Sequence, residues 1–146
     1  MPIDQPRDRP SKLSLVVHSG DFDKVHYALV LASSAAAIGT PATLFFTMGA
    51  CQALLVDPAA WRAMPSGMGG DGGGRDDGYA ERRLATFEEL LSACAEMGVR
   101  FLVCEMGLKA MDLTRADLRD DITIEEGGVV TFINDAAFFD GAMMFI

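Results

Sequence analysis

The chain has 146 residues, half of them hydrophobic, with a formal net charge of −9 and a pI near 4.5. That length supports one domain, residues 1–146, whose core needs no staples, and such apolar content excludes disorder throughout. The acidic balance argues against nucleic acid, whose phosphates require clustered Lys and Arg, and against an anionic membrane surface.

Residues 1–11 read as a polar tail carrying Asp4, Arg7 and Asp8, without the apolar segment of a signal peptide. Leu13 to His18 is a short apolar run and reads as the first strand. Ser19-Gly20-Asp21 supplies a turn with capping oxygens. From Phe22 to Ile38, Val25, Ala28, Leu29, Ala32, Ala35 and Ala36 recur at helical spacing. Gly39 and Pro41 stop that helix. Ala42 to Thr47 is a second strand, apolar enough for burial on both faces, and Met48 to Val56 turns into a short helix.

Composition then shifts: Met64 to Gly78 holds seven glycines, Pro65 and three aspartates, and reads as a flexible loop within the domain. Tyr79 to Met97 reads as one helix with the stripe Leu84, Phe87, Leu90, Leu91, Cys94 and Met97, ended by Gly98. The run Val99 to Val103 delivers Cys104 at a strand end. Gly107 to Met111 is a helical turn, and Thr114 caps another at Arg115 to Leu118. Ile122 to Ile124 fits a short strand or an extended link. Gly127 to Ala137 holds the last helix and Ala142 to Ile146 the terminal strand. This alternation predicts an α/β fold: a three-layer, doubly wound, mostly parallel sheet of four to six strands with helices on both faces. No apolar stretch reaches the roughly 18–20 residues of a membrane span. Three cysteines with no short-spaced pair suit a reducing compartment, and cytoplasmic residence is expected.

Cys104 is the leading candidate site residue. Open parallel sheets bind ligands at the carboxyl ends of their strands, and amides of a following helical turn favour a thiolate. Glu105 opposes that charge, and Lys109 favours it if it folds back. Cys51 holds a comparable place after the second strand, where it can pair with Cys104, share a metal, exchange sulfur with it, or simply be buried. Cys94 lies on an apolar stripe and reads as core. His18 ends the first strand and can donate a hydrogen bond, take a proton or bind metal, or satisfy a backbone group. His26 falls off the apolar stripe and reads as a helix-flank residue. A zinc site built from His18, Cys51 and Cys104 has suitably soft donors but no motif spacing. The Gly-rich stretch is no phosphate cradle, since no Lys-Ser pair follows and no strand directly precedes it. An anion site at His18 to Asp21, as in a flavin-binding frame, is opposed by Asp21 and Asp23. No cofactor is implied.

The order of segments carries a resemblance. Leu13 to Gly39, Ala42 to Met48, Phe101-Leu102-Val103-Cys104-Glu105-Met106-Gly107 with Met111-Asp112-Leu113, Gly127-Gly128-Val129-Val130-Thr131-Phe132 and Met143 to Ile146 together resemble the DsrE/DsrF-like family of small sulfur-relay proteins and the peroxiredoxin-like proteins grouped with them. The resemblance implies a persulfide carrier working through Cys104. It also implies a sulfur donor or acceptor protein as partner and a homo-oligomer, with apolar surface around Phe138, Phe139 and the methionine-rich end as a subunit contact. Glu105, the long Gly-rich stretch and the extra thiol Cys51 depart from better-known members. Three other expectations stay open: a binding module holding a small ligand or zinc at the strand tips, a thiol oxidoreductase using Cys51 with Cys104, and a structural subunit whose cysteines are simply core.

Overall fold

A computed structural model describes residues 9–138 and 140–146. The first eight residues of the expected polar tail, and Phe139, lie outside the described residues. Five strands form one parallel sheet: β1 (Leu13–Val17), β2 (Ala42–Phe46), β3 (Arg100–Cys104), β4 (Ile124–Gly127) and β5 (Ala142–Phe145), in the order β4-β3-β2-β1-β5. β1, β2 and β3 occupy the centre, which is why their sequences are nearly continuous apolar runs rather than alternating ones.

The two-residue strand period sorts the side chains into two cores. Leu15, Val17, Leu44, Phe46, Phe101 and Val103 face the larger one. It is roofed by α1 (Phe22–Ala37) and α4 (Phe87–Glu96), packed on each other. Phe45, Leu102 and Cys104 face the opposite side, where Phe132 of α6 (Val129–Asp135) covers them. Helices thus lie on both faces, as expected, but the second face carries much less cover.

The central region departs from the sequence reading. The stretch Met64 to Gly78 is not loop throughout: α3 (Gly72–Glu81) begins inside it, capped by the Asp71 carboxylate, which accepts from the Gly74 N–H at 2.9 Å. Gly72 serves packing there, because a Cβ on it would stand 2.5 Å from the Trp61 carbonyl oxygen and 2.7 Å from the Phe22 ring. Trp61 belongs to the short helix α2 (Ala59–Arg62). The expected single helix from Tyr79 to Met97 is broken between α3 and α4, where Arg83 takes φ of 59°. Asp76 of α3, buried, accepts the Phe87 N–H at 2.7 Å and so ties the two helices together. Leu84 and Met97 consequently leave the stripe and are exposed. His26 is not a flank residue: it is buried, its Nε2 lies 2.9 Å from the Ala85 carbonyl oxygen, and its ring packs on Phe22 and Tyr79. Helical periodicity counted its neighbours on α1 but had no view of α3. Residues 124–127 resolve as strand, and the last helix is shorter than expected.

Candidate functional site

The parallel strands bring three corners to one edge of the sheet. After β1 comes Ser19-Gly20, after β2 a 3₁₀ segment (Met48–Leu54), and after β3 the short helix α5 (Glu105–Ala110). The corners press together. A Cβ on Gly49 would lie 2.9 Å from both N and Cα of Gly20, and one on Gly107 would lie 2.5 Å from Thr47 Oγ1 and 2.6 Å from Met48 N. Only glycine admits these approaches. Met48, between them, takes φ of 49°, a left-handed backbone that long side chains adopt only when their surroundings impose it.

Cys104 is the last residue of β3 and the N-cap of α5, as the sequence reading requires. Its thiol makes no capping hydrogen bond. It points instead into the smaller core with Phe45, Leu102 and Phe132, and 2% of the residue is exposed. Glu105 and Lys109 are both exposed on α5. Cys51 is fully buried in the 3₁₀ segment, which packs on α5. Burial pushes the Cys51 thiol up to about 12, and the nearby Cys104 adds to that rise, so the two sulfurs are electrostatic neighbours. Two thiolates side by side are mutually unfavourable. Cys94 is core, as expected: burial raises it to about 12, and its Sγ lies 3.6 Å from the Leu29 carbonyl oxygen. All three cysteines are free.

His18 follows β1 directly, exposed, with its backbone N–H donating to the Ile146 carbonyl at 2.7 Å. β1 is two places from β3 in the sheet, about 10 Å at the usual strand spacing. That separation keeps His18 away from Cys104, and among the described residues no group of three or more His, Cys, Asp and Glu side chains is placed to hold a metal ion. His18 matters differently. The chain runs from β1 to β2 on one side, while β5 joins on the other, so the winding reverses between β1 and β5. Crevices form at such switch points, and two clefts open there. One, of about 960 Å³, lies beside α1 and is lined by Tyr27, Leu31 and Met144 among others. The other, of about 450 Å³, lies under α6. His18 and Phe145, with ring centroids 5.3 Å apart, border both. The sequence placed His18 at a strand end, but the position of β5 beside β1, the fact that makes His18 a cleft residue, had no local signal.

The sequence pattern of the DsrE/DsrF/DrsH-like family matches residues 51–144. The chain is 28% identical over 154 aligned positions to the sulfur carrier protein DsrE2 of Allochromatium vinosum, covering 90% of this chain and 92% of that protein. It is 24% identical to the uncharacterized protein YrkE of Bacillus subtilis, covering 88% and 93%. Among solved structures, a protein of unknown function from Methanobacterium thermoautotrophicum shares the fold with a TM-score of 0.56 at 14% identity, covering 92% of this chain and 98% of that one.

Proposed function

The chain belongs to the DsrE/DsrF/DrsH-like family, and from that premise we propose that it works in sulfur relay, carrying sulfane sulfur as a persulfide on Cys104 and passing it to a partner protein. The observation that carries this reading is the placement of Cys104 at the β3 carboxyl end, at the start of α5 and beside Cys51, in a chain that aligns over nearly its whole length with a protein named as a sulfur carrier. In the loading step the Cys104 thiolate attacks the outer sulfur of a donor. One S–S bond forms, the donor's bond to that sulfur breaks, and the donor keeps the electron pair. In the second step an acceptor thiolate attacks the outer sulfur and Cys104 leaves as thiolate. Cys51, protonated at neutral pH by its burial and its neighbour, does not compete for the donor. It receives sulfur only after its cover opens.

The same reading includes a homo-oligomer. Among the described residues the outer edge of β5 pairs with no further strand, and Met144 on it is exposed, as are Val130 and Phe138. Among the described residues no helix is long and apolar enough to cross a membrane, and the three free thiols suit a reducing, cytoplasmic setting. The test is intact-mass measurement after exposure to inorganic polysulfide. Wild type and Cys51→Ser gain one or more sulfur atoms, and Cys104→Ser gains none. Equal loading of Cys104→Ser would sink the reading.

A further inference from the structure

The cleft under α6 points to the kind of sulfur compound this site takes. Its volume, about 450 Å³, falls in the range of small-molecule pockets, roughly 300–1,000 Å³. Its walls include Phe45, Phe132, Ile133, Met48, Met106 and Met143, with His18 and Thr47 as polar members, and among the described residues no Asp, Glu, Lys or Arg lines it. Two of these walls, Phe45 and Phe132, are also the residues that pack Cys104 into the smaller core, their rings stacked with centroids 5.0 Å apart. The cleft and the thiol are therefore separated by one aromatic layer, half of it contributed by α6. The cleft also borders the switch point between β1 and β5, where open α/β sheets hold ligands.

An anionic polysulfide is poorly matched to this place. It would lose hydration against largely apolar walls whose one basic side chain, among the described residues, is His18, and it would approach a chain of formal net charge −9. A neutral sulfur chain or ring loses little on entering, and the three methionine thioethers offer polarizable contacts to it.

We infer that the cleft binds neutral, apolar sulfane-sulfur compounds, either the elemental sulfur ring or a hydrocarbon-substituted polysulfane, and presents them to Cys104. This rests on the persulfide reading above. With the ligand in the cleft, displacement of the Phe132 ring opens the way to the thiol. The Cys104 sulfur forms one S–S bond while one S–S bond of the donor breaks, and the departing sulfur keeps the electron pair. From the ring, that sulfur stays tethered as the anionic end of the opened chain. From an organic trisulfide it leaves as a thiolate or hydropersulfide anion and takes a proton from water. No external oxidant or reductant enters.

The experiment has two arms. In the first, Cys104→Ser protein is titrated with diallyl trisulfide and, separately, with dispersed elemental sulfur, and the methyl NMR signals of Val129, Ile133 and Met143 are followed. In the second, loading of Cys104 in wild type is timed by intact mass with each apolar donor and with inorganic tetrasulfide. The inference expects methyl shifts in the first arm, and at least tenfold faster loading from one apolar donor than from tetrasulfide. The donor that shifts the methyls identifies the source. Ile133→Glu, a change at an exposed position that brings a charge into the cleft, is expected to abolish the shifts and bring the rate ratio close to one. Tetrasulfide loading without methyl shifts or apolar preference overturns the inference and leaves the persulfide reading standing. Methyl shifts with no adduct on Cys104 from any donor support the cleft and overturn the persulfide reading. A larger mass in solution for wild type than for Ile133→Glu, with no methyl shifts in either, overturns the inference by making this face a contact between copies of the chain.

Discussion

Gly107→Ala tests the packing that brings Cys104 and Cys51 together. Gly107 lies inside α5, where alanine is intrinsically the better residue by about 0.5–1 kcal/mol. A helix with free space on that side would be stabilised. Here the added Cβ would stand 2.5 Å from Thr47 Oγ1, 2.6 Å from Met48 N and 3.0 Å from Thr47 Cα, against 3.4 Å for ordinary contact. Two of the three obstacles are backbone, and Met48 already sits in a left-handed conformation, so rotating one side chain does not relieve them. α5 must move away from the β2 corner by close to 1 Å. Overpacking of this kind costs about 1–3 kcal/mol, and backbone obstacles place this case at the upper end. After subtracting the helix preference, the expected net loss is about 2 kcal/mol. In a domain of this size that lowers Tm by roughly 4–8 °C. Urea unfolding by circular dichroism measures it. Adding Thr47→Ala removes the Oγ1 contact and leaves both backbone ones, so the double variant recovers less than half of the loss. Native-state alkylation of Cys51 also accelerates, because the corner that covers it has opened. Gly107→Ala with wild-type stability, or greater, would refute the seating of α5 against β2.

Three further outcomes follow from the same physics. Gly78→Ala, in α3, meets nothing closer than Arg82 Nη1 at 3.8 Å and is expected to stabilise by about 0.5–1 kcal/mol in thermal melts; destabilisation would argue against a helix there. With its thiol at about 12, Cys51 is ionised to about one part in ten thousand at pH 8, so its alkylation rate should climb about tenfold per pH unit up to pH 10; a plateau below pH 10, with the fold intact, contradicts the burial argument. Asp135 anchors the end of α6, with Lys12 Nζ at 3.3 Å and Arg100 Nη1 at 2.6 Å. Burial pushes its carboxyl up, but the Thr43 hydroxyl, Arg100 and Lys12 outweigh that and hold it below the ordinary value of 3.8. Its stabilisation is therefore complete above that value and lost as pH falls through the lower folded one. Asp135→Asn strands a buried Lys12, which should cost about 3–5 kcal/mol near neutral pH and flatten the loss of stability below pH 4; an unchanged acid profile would show that the pair does not hold α6.

Much of the fold was legible because its signals are local. The runs Leu13 to Val17, Ala42 to Phe46 and Arg100 to Cys104 are buried centre strands with no need to alternate, and the alanine-rich stripe of α1 packs as its spacing requires. Cys104 was readable as a strand-end thiol because a strand running into a helix turn is a local pattern. What local patterns misread was α3. Its glycines look like loop, and one of them, Gly72, is glycine because Trp61 and Phe22 leave no room for a Cβ, a reason that lies ten or more residues away. His26 was misplaced in the same way, since Ala85 and Tyr79, its partners, reach it only through the fold.

The sequence by itself determined the elements, the apolar faces and the end of β3 on which Cys104 stands, because hydrophobic periodicity and capping act within a few residues. Tertiary structure decided the rest. Strand order set β5 beside β1 and opened the clefts at His18, and the close approaches at Gly49 and Gly107 drew Cys51 and Cys104 into one electrostatic neighbourhood. Both depend on contacts between segments tens of residues apart, where the energy resides in packing that no short window of sequence contains.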